Sequence, residues 1–481
     1  MVIPFDNSFA RLPGQFYTHL VPTPVKSPQL VVVNTALAAD MGIDIADIPA
    51  DVLAGNRVPE GATPIATAYA GHQFGGFSAQ LGDGRAVLLG EVIAPGGTRR
   101  DLQLKGSGRT MFSRGGDGRA TLGAVLREYV VSEAIAAMGI PTTRALGAVT
   151  TGEYVPREDM HPGAVLARVA ASHIRVGTFQ FHYTRRDEKA LKLLADHVIA
   201  RHYPTAQTAP NPILALLKGV MERQAGLIAK WMQVGFIHGV MNTDNMSVSG
   251  ETIDYGPCAF MDGFDPNKTF SSIDQGGRYA WSNQPKIAQW NLTQFANTLI
   301  PLIDADQDKA VMAAQDVLDE FSDMFAQKYT AAFSRKIGLL TAQSGDDVLI
   351  ADLLTLLGAE AVDFTLFFRN LTDFVKTGGD IVRKMFKNPA GFDAWVKAWQ
   401  HRTAQDDIRA HAGMMRLANP AFIPRNHRLE QLITAAETGD LAPFNTLMQA
   451  LAKPYDDQPE HIDLTLPPLP DELVHKTFCG T

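Results

Sequence analysis

The hydrophobic rhythm of the chain changes near residue 186. Upstream, from about 77 to 105, the strand-like runs "FSAQL", "RAVLLGEVIA" and "RRDLQLK" alternate with the turn triplets Gly82-Asp83-Gly84 and Pro95-Gly96-Gly97. This predicts a three-stranded meander with Lys105 at the end of its third strand. Leu122, Val125, Leu126 and Tyr129 then recur at helical spacing behind Thr121, a residue type that caps helix N-termini. "TTRALGAVTT", "AVLARVA" and "SHIRVGTFQF" read as further strands, with Arg168 and Arg175 set among apolar neighbours. From about Glu188 the pattern turns helical, and 285–451 is a succession of amphipathic segments such as "NLTQFANTLIPLI" and "AVMAAQDVLDEFSDMFAQKYTAAF". The expected architecture is α+β. A β-rich small lobe with its N-terminal extension occupies 1–185, a helical large lobe 186–450, and a tail carrying Cys479 spans 451–481.

Composition narrows the functional classes. Hydrophobic residues make up 46% of the 481 and charged residues 20%, the balance of a folded chain with a large core. A formal net charge of -8 argues against nucleic-acid binding across the whole surface, so any anion site must be a local cluster. No run of about eighteen apolar residues predicts a membrane span, and "MVIPFDNSFARLPGQFY" lacks the charged start and apolar stretch of a leader. A cytoplasmic protein is expected, and nothing in the sequence points beyond a monomer. Two cysteines are too few for a disulfide scaffold, and the 13 histidines form no H-E-x-x-H motif.

The chemistry concentrates in "HGVMNTDNMSVSGETIDYGP", His238 to Pro257. Protein kinases place Asn five residues after the Asp of an H-x-D triplet, and later a D-x-G turn; Asn and the second Asp hold magnesium there. His238, Asn245 and Asp254-Tyr255-Gly256 keep that register, but Val240 stands where the catalytic Asp belongs. Valine accepts no proton. Asp244, the nearest acid in the loop, becomes the candidate base, with Asn245 and Asp254 the candidate ligands of a hard cation. Upstream, a Gly-rich turn at Gly82 and Gly84 and a strand-end lysine, Lys105, match how a kinase small lobe covers and grips ATP phosphates. The glycine-rich loop after Lys105 adds Arg109, Arg114, Asp117 and Arg119. Either Glu128 or Glu133 could pair with Lys105, and spacing does not choose between them. Arg168 and Arg175 each require a partner, either a structural carboxylate or a bound phosphate.

With these stretches, and with "GHQFGGFSAQLGDGRAVLLGE", "LKGSGRTMFSRGGDGRA", "GRYAWSNQP" and "NPAFIPRNHRLEQLI", the chain resembles the selenoprotein O family of kinase-like protein adenylyltransferases. The resemblance implies a bilobal protein-kinase-like fold. It also implies an ATP flipped relative to ordinary kinases, so that AMP passes to Ser, Thr or Tyr hydroxyls of protein substrates and pyrophosphate leaves. Carried over, the nucleotide contacts fall on Gly82, Gly84, Arg85, Lys105, Asp117, Gly118, Arg168 and Arg175. The proton acceptor falls on Asp244, the magnesium ligands on Asn245 and Asp254, and the lysine partner on Glu128. Manganese takes the same oxygen ligands. The chain departs from the family at Met111-Phe112, where a Pro-Tyr pair is expected, and at Val176, where an aromatic is expected. Cys258, just after the metal-binding turn, and Cys479 form a candidate redox pair that would tie the tail over the acceptor site. The rival readings are an ordinary kinase transferring the γ-phosphate and an inert nucleotide-binding scaffold.

Overall fold

The computed structural model describes residues 3–404 and 407–477. Its strands are β1 (Tyr17–His19), β2 (Gln29–Val33), β3 (Ile65–Thr67), β4 (Gly71–Gln73), β5 (Gly76–Ser78), β6 (Ala86–Ile93), β7 (Arg99–Lys105), β8 (Ala120–Thr121), β9 (Arg144–Pro156), β10 (Met160–Ala170), β11 (Phe236–Ile237) and β12 (Ala259–Phe260). The helices of the N-terminal half are α1 (Thr35–Asp40), α2 (Ala50–Leu53), α3 (Leu122–Ala137), α4 (Val176–Thr184), α5 (Glu188–His202) and α6 (Pro212–Gln233). There follow α7 (Gln284–Ile303), α8 (Gln307–Asp319), α9 (Phe321–Lys336), α10 (Asp346–Ala359) and α11 (Phe364–Thr377). The last are α12 (Ala390–Arg402), α13 (Ile408–Ala418), α14 (Asn426–Glu437) and α15 (Ala442–Leu451). The molecule is thus α+β, with an N-terminal sheet and a helical C-terminal region. No helix among the described residues is long and apolar enough to cross a membrane.

Eight strands form one sheet in the order β1-β3-β6-β7-β10-β9-β2, with β8 paired to β10 off that path. Its central strands are buried on both faces, because α3 covers one and α1 with α2 the other. Strand alternation then sorts the side chains. Leu102, Leu104, Val165 and Ala167 enter the core beneath α1 and α2, whereas Leu166 joins the α3 core. The β7–β10 register sets Lys105 opposite Leu166 and Gln103 opposite Arg168. Both cations therefore share the face that α3 covers, which is where Glu128 lies. A one-residue slip would send both to the other core. Thr121 caps α3 as expected, its side chain accepting from the N–H of Ala124. The helix is pinned from the C-terminal side by Arg127, which donates to Asn426 of α14 at 2.8 Å.

Two expectations need correction. "FSAQL" is not the first strand of the meander: Gly76–Ser78 pairs with Gly71–Gln73 in a separate hairpin, and the sheet neighbour of β6 is β3. "SHIRVGTFQF" is not a strand either, because Val176–Thr184 is helical and Arg175 stands at its N-cap. A short apolar run is ambiguous between the two states, and Thr178 decides it by accepting the Arg175 N–H at 3.1 Å.

Candidate active site

A cavity of about 630 Å³ is lined by Gly82, Gly84, Arg85, Lys105, Asp117, Gly118, Glu128, Arg168, Arg175, Val240, Asp244, Asn245 and Asp254. Every nucleotide, metal and proton-transfer residue expected from the sequence thus faces one space. Its lining carries Arg85, Lys105, Arg114, Arg119, Arg157, Arg168 and Arg175 against Asp83, Asp117, Glu128, Asp244 and Asp254. That local positive surplus, in a chain of net charge -8, is a cluster of the kind an anion site would need here.

At the floor three cations converge on two carboxylates. Lys105 Nζ lies 2.5 Å from Glu128 Oε2 and 2.9 Å from Asp254 Oδ1. Arg168 reaches Glu128 at 3.1 Å, Asp254 at 2.6 Å and the Gln103 amide oxygen at 2.6 Å. Arg175 pairs with Asp254 Oδ2 and donates to the Asp244 carbonyl at 2.7 Å. Glu133, the other candidate for Lys105, instead accepts from Arg144 at 2.7 Å and from Asn34 at 2.8 Å. Burial opposes the charge on Asp254, yet Arg175, Lys105 and Arg168 outweigh it and hold the carboxyl well below its ordinary range. Asp254 also adopts φ +63°, a left-handed backbone unusual for a side chain bearing a Cβ, so the surrounding contacts hold it there.

The β11–β12 ribbon brings the two halves of the motif loop together. His238 is buried and props the loop: its Nε2 bonds the Ile253 carbonyl at 2.9 Å, and its own N–H is received by Gln284 at 3.1 Å. Asn245 donates through Nδ2 to the Val240 carbonyl at 2.9 Å, which leaves its amide oxygen as an acceptor. Asp244 is buried, with Oδ2 accepting from Gln73 at 3.2 Å and Oδ1 without a partner. Desolvation pushes its carboxyl up to about 6, despite the opposing pull of Arg175. A carboxylate poised near neutrality beside a cavity suits a general base. The oxygens of Asn245 and Asp254 are the hard donors that magnesium or manganese prefers, so these residues fit such an ion.

The roof is steric as much as electrostatic. Gly82 has φ +120°, and a Cβ there would meet the Phe112 ring at 2.4 Å. Gly118, with φ +71°, crosses Gly108 so closely that a Cβ would fall 2.2 Å from its carbonyl carbon. Phe112, one of the departures from the expected family pattern, is buried in this packing, while Met111 is 74% exposed; Val176 is fully buried at the start of α4. Asp117 is held by Arg157 at 2.8 Å. Arg157 and Gln73 carried no spacing signal in the sequence, because each reaches the site from a segment remote in the chain.

The sequence matches the family model described as protein adenylyltransferase SelO over residues 1–452. A protein nucleotidyltransferase YdiU of Rhodopseudomonas palustris (strain BisB18) is 58% identical over 99% of both chains. The YdiU protein of Bradyrhizobium sp. (strain BTAi1) is 57% identical over 99% of both, and one from Methylorubrum extorquens is 55% identical over all of this chain and 99% of its own. The chain belongs to the SelO family of protein adenylyltransferases.

Proposed function

We propose that the cavity binds ATP with its α-phosphorus toward Asp244, and that AMP passes to a Ser, Thr or Tyr hydroxyl of a protein substrate. The observation that carries this reading is the pairing of Val240, where a kinase keeps its base, with a buried Asp244 whose carboxyl is pushed up to about 6. Asp244 takes the hydroxyl proton as the oxygen bonds to the α-phosphorus. The bond to the bridging oxygen of the β-phosphate breaks, and pyrophosphate leaves with the electron pair. Arg168 and Arg175 neutralise that leaving charge, a role for which planar guanidinium groups suit. Lys105 grips the phosphates and Glu128 positions Lys105. Gly82, Gly84, Arg85, Asp117 and Gly118 wall the nucleotide. Asn245 and Asp254 would hold magnesium or manganese, which supplies charge neutralisation on the phosphates.

On this reading the sheet with α3 is the small lobe of a protein-kinase-like fold, and the region from 186 to 450 the large lobe. Incubation with a protein acceptor and ATP labelled at either the α- or the γ-phosphate tests it. Protein-bound label from the α position alone is expected. Label from the γ position alone would make the protein a kinase, and ATP binding without transfer would make it a scaffold.

The tail adds a regulatory element to the proposal. Thr477 donates through its hydroxyl to the Pro257 carbonyl at 2.7 Å, beside the buried Cys258. Cys479 lies outside the described residues. A reversible Cys258–Cys479 bridge would fasten the tail there and lower activity when oxidised; a Cys479→Ser variant equally sensitive to oxidant would refute it.

A further inference from the structure

One cation stands against the β4–β5 hairpin, outside the lining of the cavity. The β4–β5 hairpin is bonded to the motif loop almost residue by residue: the His72 N–H donates to Thr243 at 2.7 Å, the Phe74 N–H to Asn242 at 3.1 Å, and Gln73 to Asp244 at 3.2 Å. Tyr279 donates to the same Asn242 oxygen at 2.7 Å, and its ring meets Phe74 edge-on at 5.1 Å. Arg278, its neighbour in the chain, therefore stands against the hairpin. A Cβ on Gly75 would sit 3.8 Å from the Arg278 guanidinium carbon. Arg278 does not line the cavity, whereas Phe74 of the hairpin and Ile273 of the loop that carries Arg278 do.

Its surroundings lack a counter-charge. The guanidinium lies over the Trp290 ring at 4.9 Å, and Nε is buried without a hydrogen-bond partner. Among the described residues it enters no ion pair. Asp274, the acid of the same loop, accepts instead from the backbone N–H groups of Arg278 at 2.9 Å and Tyr279 at 2.8 Å. His72 meets Trp290 edge-on at 5.1 Å, and burial, with the charge of Arg278, shifts its imidazole toward the neutral form. Two exposed apolar side chains belong to the same two segments, Ile273 at 68% on the loop and Phe77 at 42% on the hairpin. Nucleotide phosphates are met by Lys105, Arg168 and Arg175 at the cavity floor. Arg278 is tied to Asp244 through the hairpin alone, Gly75 facing the guanidinium and Gln73 donating to the carboxylate.

Resting on the adenylyltransferase reading, we propose that Arg278 receives a carboxylate of the acceptor polypeptide, so that hydroxyls flanked by Asp or Glu are the preferred substrates. A guanidinium stacked on an aromatic face accommodates a carboxylate through two parallel N–H bonds, which would supply the missing counter-charge. Because the chain as a whole is net negative, this contact selects among acceptors more than it adds affinity.

The test uses the full chain, α-labelled ATP and matched peptides carrying one acceptor hydroxyl flanked by Glu, Gln or Lys. The parent should favour the Glu over the Lys peptide in kcat/KM by at least about tenfold, the scale of one charge-assisted bond, and the preference should shrink with added salt. Arg278→Glu should reverse the ratio, and Arg278→Gln should bring it toward unity. An unfolded fraction lowers both peptides equally and leaves the ratio untouched. A parent ratio near one, or a ratio unchanged in both variants, overturns the inference while transfer itself stands. Absence of transfer to every peptide and to a generic protein acceptor overturns the adenylyltransferase reading and this inference with it.

Discussion

Strand β7 carries a buried charge network near each end, and only one of them lines the cavity of the candidate site. At its C-terminal end stand Lys105, Glu128, Arg168, Arg175 and Asp254. Toward the other end Asp101 pairs directly with Glu91 of β6, two like charges facing each other across the ladder. Arg201 of α5 reaches Glu91 at 3.1 Å and Asp101 at 2.5 Å, while Arg99 adds a bond to Glu91 at 3.0 Å. Ser8 donates to Glu91 at 2.6 Å, and both the N–H and the Nδ1 of His173 contact Asp101. Composition and burial are alike in the two networks. What differs is that none of the second network's residues lines the cavity of the candidate site, and none has a left-handed backbone like that of Asp254. Buried charge alone marks neither a site nor a scaffold; a void and a constrained backbone beside it mark the site.

The sharpest break between the two comes from removing one cation from each. Lys105→Met should cut AMP transfer by roughly 10²–10³-fold, the scale of one lost charge-stabilising donor. Its stability should change little, because Glu128 and Asp254 keep Arg168 and Asp254 also keeps Arg175. Arg201→Met should do the reverse. It leaves Glu91 and Asp101 buried and mutually repelling, which costs about 3–5 kcal/mol in a urea titration, while the folded fraction keeps its ATP affinity. If both variants lose stability equally, the distinction between site and scaffold collapses.

This distinction was only half legible in the sequence. His238, Asn245, Asp254 and Gly256 announce themselves because the loop that holds them is continuous, so spacing carries geometry. Lys105 followed from strand punctuation alone. Spacing did not choose between Glu128 and Glu133, since both lie on α3; the family resemblance pointed to Glu128, and the structure pairs it with Lys105 while Glu133 turns to Arg144. Gln73 and Arg157 gave no signal, because each joins the site through contacts with segments far away in the chain, and the packing of Arg278 on the hairpin was silent for the same reason. Arg175 was read as a strand residue because a short apolar run does not reveal its period. The Glu91–Asp101–Arg201 network was equally silent, since a long-range salt bridge leaves no local pattern.

Asp244 sharpens the comparison on the side of the site. Asp244→Asn should lower transfer by about 10²–10⁴-fold, the usual contribution of a general base, with ATP binding retained. The sign of the pH dependence follows from a carboxyl that loses its proton only near 6. Below that pH the base is protonated, and kcat/KM for ATP should fall about tenfold per unit; above it the profile should be flat. Loss of the acidic limb in Asp244→Asn would assign it to this residue.

Gly71→Ala is a gentler probe of the same position. A Cβ there would lie 2.7 Å from Asp244 Oδ1 and 3.0 Å from its Cβ, so the Asp244 side chain must move. Gly71 is not in the left-handed region, so alanine strains no backbone of its own. A displacement of the order of 1 Å should lower kcat by up to about 10²-fold with KM for ATP nearly unchanged. Unaltered kcat would show that the hairpin does not set the position of Asp244.

The smallest effect is expected where buried charge belongs to neither kind of network. Lys336, at the end of α9, is 1% exposed, and its Nζ lies 4.0 Å from the Phe368 ring centre and 5.1 Å from that of Phe364. It forms no ion pair among the described residues, and burial holds its ammonium well below the ordinary lysine range. The folded state therefore binds fewer protons than the unfolded chain at pH values between the depressed value and the ordinary one. In that window the parent's stability should rise with pH, by the linkage between proton uptake and unfolding. Lys336→Met keeps the volume and the contacts with the rings but removes the desolvated amine. It should raise stability at neutral pH by about 1–2 kcal/mol, flatten the rise with pH, and leave AMP transfer unchanged. A loss of stability instead would mean that the lysine's contact with the two rings outweighs its desolvation, making it a third kind of buried charge, held by aromatic faces alone.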